Sequence, residues 1–221
     1  MTFFSKDFKK LAYLFSKLLQ LGPDENSDIN SELYSLYSEV DTLIALFNLF
    51  QPNYSNEIRS LSGCAIKTTL KNVLHLLTDS DLSSIKQLFI DIFQSEHNLE
   101  TLNIVIEAAS LIFDRWPEIF DFLQSLVDTE SDEQFQLAMA ILSKIPEELY
   151  NQSTEKFVEM CTRLITISLD QQTNCRAALG LFSSISHFIP ISDSLNQSFP
   201  NFYIKFLELF QEYLIINDSY S

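Results

Sequence analysis

Only three glycines punctuate 221 residues, and that scarcity decides the fold class. An all-β sandwich or barrel needs a turn every 8–12 residues, most of them built on Gly, Pro or Asn-Gly. Three glycines and six prolines cannot supply those turns. Apolar residues instead recur at helical spacing along the chain, as in Phe4, Phe8, Leu11, Phe15, Leu18 and Leu19. Hydrophobic residues make up 46% of the composition and charged ones 20%, enough apolar surface to bury a core and too little charge for a disordered chain. The chain is therefore expected to be all-α.

The breaks between periodic segments predict eleven helices, at about residues 2–21, 27–37, 40–50, 55–77, 82–94, 99–113, 117–127, 132–145, 153–169, 173–188 and 200–216. Gly22-Pro23, Gln51-Pro52, Pro146 and Pro190 serve as stops. Pro117 suits a first helical position, where its missing N–H is not needed. Thr78-Asp79-Ser80-Asp81 and Ser153 read as caps.

Short polar connections suggest pairs. The second helices align as IRSLSGCAI from Ile58, LNIVIEAAS from Leu102, FQLAMAIL from Phe135 and NCRAALGLF from Asn174. They share a small or β-branched position at Ser62, Val105, Ala138 and Ala178, in steps of 43, 33 and 40 residues. Two of those steps fit the roughly 40–47-residue period of a two-helix solenoid unit. Such a position is expected where the helices of a pair approach closely. The expected architecture is one continuous right-handed α-solenoid of about five HEAT-type helix pairs, 2–37, 38–77, 80–113, 117–145 and 153–188, with a final helix at 200–216. A non-repetitive bundle is the competing arrangement.

Chemistry-bearing patterns are sparse. His75, His97 and His187 have no His, Cys or acid at i+3 or i+4 in a pattern resembling a metal site, and Cys64, Cys161 and Cys175 are far apart with no CxxC. No metal site, cofactor or disulfide framework is expected, and a reducing compartment fits. Cys64, beside Gly63 and Ala65, reads as a buried packing thiol. No Gly-rich phosphate loop, nucleophile elbow or kinase signature occurs, so no enzyme is expected. No 18-residue apolar run occurs, so membrane insertion is not expected.

Fourteen basic against thirty acidic side chains give a net charge of −16. That surplus repels phosphate backbones and anionic lipid, and it favours a basic protein partner. The plain alternative is that the carboxylates keep the protein soluble. Between residues 101 and 135 stand Glu107, Asp114, Glu118, Asp121, Asp128, Glu130, Asp132 and Glu133, against Arg115 alone. The candidate partner-binding residues are Glu107, Asp114, Asp132 and Glu133, with Trp116, the sole tryptophan, as either a surface anchor or a plug between repeats.

The run SEVDTLIALFNLFQPNYSNEIRSLSGCAIKTTL (38–70) resembles the second HEAT repeat of the importin-β (karyopherin-β) superfamily, with Ile58-Arg59 as its Ile-Arg pair. FSKLLQLGPDENSDINSELYSLY is similar to the first repeat of that family, SDLSSIKQLFIDIF (80–93) to a following first helix, and RWPEIFDFLQSLV (115–127) to a later repeat opening on Trp-Pro-Glu. The similarity is nearest to the subgroup importing ribosomal proteins and histones. Near the pattern's Arg, the third and fourth second helices have Leu102 and Phe135. The resemblance implies a nuclear transport receptor, or the N-terminal part of one, moving between cytoplasm and nucleus. Its partners would be the small GTPase Ran in its GTP form, basic cargo proteins and Phe-Gly nucleoporins. The alternative is a short acidic HEAT scaffold that binds a basic protein, such as a ribosomal protein, without a transport role.

Overall fold

A computed structural model describes residues 7–21, 26–51, 53–129, 131–171 and 175–185. Among these, every regular element is a helix, so the protein is all-α. The expected helix at 200–216, residues 2–6 of the first helix and residues 173–174 and 186–188 of the tenth lie outside the described residues. The chain divides into two compact units, Met1–Trp116 and Pro117–Ser221.

The first unit contains α1 (Asp7–Gln20), α2 (Ser27–Leu36), α3 (Val40–Phe47), α4 (Asn56–Val73), α5 (Asp79–Ser95) and α6 (Leu99–Ala109). The helices expected at 40–50, 55–77 and 99–113 each end in a 3₁₀ turn, at Asn48–Phe50, Leu74–Leu76 and Ser110–Arg115. Tightening of this kind is common in the last turn, where carbonyls lack α-helical partners. Side chains fix the starts. Ser55 Oγ accepts from the Ile58 N–H at 3.5 Å, and Asn98 Oδ1 accepts from the Thr101 N–H at 2.9 Å. Thr78 Oγ1 accepts from the Asp81 N–H, and the Asp81 carboxylate accepts from the Thr78 N–H, a reciprocal capping box. That box starts α5 at Asp79, three residues before the start expected from the apolar stripe.

α3 packs on α4 and α5 on α6, while α1 lies against α2, α3 and α4. The most extensive interface joins α4 to α6, the second helices of successive pairs. Three contacts set its register. Ser60 Oγ lies 2.8 Å from Thr101 Oγ1, and Lys67 Nζ donates to Glu107 Oε2 at 2.9 Å. Between them, a Cβ built on Gly63 would stand 2.9 Å from Ile104 Cγ2 and 3.6 Å from Val105 Cγ2. Offsets of 41, 40 and 41 residues, rising together along both helices, make α4 and α6 parallel neighbours. The unit's core holds Leu43, Leu46, Leu49, Ile66, Leu70, Ile85 and Phe89, all fully buried.

The second unit contains α7 (Ile119–Asp128), α8 (Asp132–Lys144), α9 (Pro146–Gln152), α10 (Thr154–Gln171) and α11 (Cys175–Ile185). α7 packs on α8, α10 on α11 and α7, and α8 on α11. Arg163 of α10 donates to Asp128 of α7 at 2.7 Å, and Lys156 approaches Asp121 at 4.0 Å. Both pairs are 35 residues apart and seven residues separate the rungs on each helix, so α7 and α10 run parallel. Ile119, Leu123, Ile141, Leu142, Leu149, Phe157 and Leu164 form its core.

Two prolines act differently from expectation. Pro117 lies in a turn two residues ahead of α7, whose N-cap is Glu118. Pro146 does not merely stop α8; it occupies the first turn of α9, a helix the periodicity did not reveal. A proline at N1 lacks only an N–H that would have had no helical partner, so one residue both ends α8 and begins α9. Cys64 also differs from expectation: it is exposed. α4 is covered by α3 on one flank and α6 on another, burying Ser62, Gly63, Ala65 and Ile66, and position 64 falls in the solvent gap.

The aligned positions Ser62, Val105, Ala138 and Ala178 are all buried. Ser62 Oγ donates to the Leu46 carbonyl at 2.7 Å, a contact between the two helices of one pair. The position with no room for a Cβ is one residue further on, where Gly63 meets α6 of the next pair.

Candidate partner interface

Glu107 lies on α6, on the side facing α4, with 38% of its side chain exposed and Lys67 against it. Asp114 is exposed in the 3₁₀ turn that follows α6. Its neighbour Arg115 turns towards Asp79, with Nη2 3.3 Å from Oδ1. These three elements belong to the first unit. Asp132 and Glu133 are exposed in the first turn of α8, in the second unit. The structure thus places Glu107 and Asp114 on one compact unit, and Asp132 with Glu133 on the other.

Trp116 is not a surface anchor. Only 2% of the residue is exposed, and its ring centroid lies 5.6 Å from that of Phe113 and 6.4 Å from that of Phe89. Its N–H donates to the Phe113 carbonyl at 3.0 Å, closing the 3₁₀ turn. Phe89 also meets Phe47 edge-on at 5.0 Å, so the indole closes an aromatic cluster in the core.

The acids have a local role as well. Asp121, Asp132, Glu133, Glu147, Glu148 and Glu155 all sit in first turns of helices. There a carboxylate offsets the partial positive charge of unpaired N–H groups. Asp128 is held below the usual carboxylate range by hydrogen bonds from Gln124 first and Arg163 second. The Thr78 hydroxyl, then its backbone N–H, does the same for Asp81. Burial pushes the Cys161 thiol up, which makes it a packing group rather than a nucleophile. Burial, then Tyr34, then Cys64 push Tyr37 up.

One polar constellation was not legible beforehand. Arg59, the Arg of the Ile-Arg pair, donates from Nε to Glu96 Oε2 at 2.7 Å and from Nη2 to Glu96 Oε1 at 3.2 Å. Its Nη1 donates to the Tyr54 carbonyl at 2.8 Å, and the Asn98 N–H donates to Glu96 Oε1 at 2.9 Å. The side chains are 15% and 4% exposed. This pair joins the first turn of α4 to the turn before α6. Gln94-Ser95-Glu96-His97-Asn98 reads in sequence as an ordinary solvated turn, so nothing there signals that Glu96 is buried.

Among the described residues no group of three or more His, Cys, Asp and Glu side chains is placed to hold a metal ion, and no helix is long and apolar enough to cross a membrane. The exposed groups offer ion pairing and hydrogen bonding to a partner of opposite charge. No protein family, curated protein or solved structure matches the chain.

Proposed function

We propose that this is a helical-repeat binding protein for a basic protein partner, built as a right-handed solenoid of HEAT-type helix pairs and acting as an importin-β-like transport receptor. The observation that carries the repeat reading is the parallel, in-register stacking of equivalent helices, α4 with α6 at offsets of 40–41 residues and α7 with α10 at 35. In an array of this kind each pair buries one face on its neighbour, so stability would be a sum of pair and interface contributions. The net charge of −16 supports a cationic partner. The receptor assignment, with Ran-GTP, basic cargo and Phe-Gly nucleoporins as partners and passage between cytoplasm and nucleus, rests on the sequence resemblance around Ile58-Arg59 and Trp116-Pro117-Glu118.

A second reading, an acidic scaffold for a basic protein without transport, is favoured by one observation. Leu102 and Phe135, near the Arg of the resembling pattern, are buried core residues. Titrating Ran-GTP, Ran-GDP and a basic ribosomal protein against the purified chain at two salt concentrations separates the readings. Preference for Ran-GTP over Ran-GDP supports the receptor. Binding of the ribosomal protein without nucleotide discrimination supports the scaffold. No binding of any of them at micromolar concentration and low salt refutes both. Small-angle scattering tests the solenoid: an extended curved particle is expected, and a compact globule refutes it.

A further inference from the structure

We draw no further inference here: the strongest candidate, the exposed face of α1 on which Lys9, Tyr13 and Lys17 follow at four-residue steps with the Lys17 ammonium over the Tyr13 ring, carries nothing because nothing in the structure shows what covers it.

Discussion

Replacing Gly63 by alanine sets two opposing effects against each other at a single methyl group. In the middle of α4, the exchange removes the conformational cost of glycine, worth about 1 kcal/mol in a helix interior. The new Cβ would lie 2.9 Å from Ile104 Cγ2, where carbon atoms normally rest about 3.5–4.0 Å apart. Ile104 cannot easily swing away, because a β-branched side chain in a helix has one strongly preferred χ1. The relief must come from separating α4 and α6, and overpacking of this kind costs about 1–3 kcal/mol. The net expectation for Gly63→Ala is a loss of up to about 2 kcal/mol, from the difference of those two figures. In an Ile104→Ala background the clashing carbon is gone, and the two remaining contacts, to the Cβ at 104 and to Val105 Cγ2, both at 3.6 Å, are ordinary. There the same substitution should stabilise by about 1 kcal/mol, reversing sign. Urea unfolding followed by Trp116 emission is the assay, since the sole tryptophan is buried against Phe113 and Phe89 within the unit concerned. Stabilisation by Gly63→Ala in the unaltered chain, or an undiminished loss in the Ile104→Ala background, would show that the two helices are not in this contact.

Four other outcomes are expected. Glu96→Ala should destabilise the first unit by about 3–5 kcal/mol by leaving Arg59 buried without its partner, while Arg59→Met/Glu96→Leu should recover most of that loss; urea midpoints decide it. Asp128, with its folded pKa depressed, contributes stability that is present above the unfolded carboxylate value of about 3.9 and is lost as pH falls through the lower folded value. Asp128→Asn should therefore flatten the acid limb of the stability–pH curve below about pH 4. Ala138→Leu should cost about 1–3 kcal/mol at a fully buried position, whereas Glu133→Gln should stay within about 0.5 kcal/mol, as read by thermal unfolding. A thiol reagent should label Cys64 in the native protein and Cys161 only after unfolding, with labelled peptides assigned by mass; native labelling of Cys161 would contradict its burial.

Much of the helical layout follows from the amino-acid order alone. The apolar stripes, the scarcity of glycine, and caps such as Ser55 and Thr78 are local signals, and each reads at a distance of three or four residues. The all-α class and most helix bounds are set at that range. What lay beyond reach are matters of which surface meets which. Cys64 sits in a run of small residues that looks uniformly like packing, yet α4 is flanked by α3 and α6 and leaves that one position in the gap between them. Glu96 stands in a polar turn and becomes buried only because Arg59, 37 residues earlier, is brought to it. Trp116 reads as a plug between repeats or as a surface anchor until Phe89 and Phe113 close around it. Gly63 acquires its meaning from Ile104, and Glu107 from Lys67, each about 40 residues distant. Pro146 with Glu147 and Glu148 after it carries the local mark of a helix start, but α9 is too short for its apolar spacing to stand out. Local propensity acts through a residue's own turn, so sequence carries it directly. Burial, ion pairing and close approach depend on residues tens of positions away, and their partners exist only once the helices are stacked.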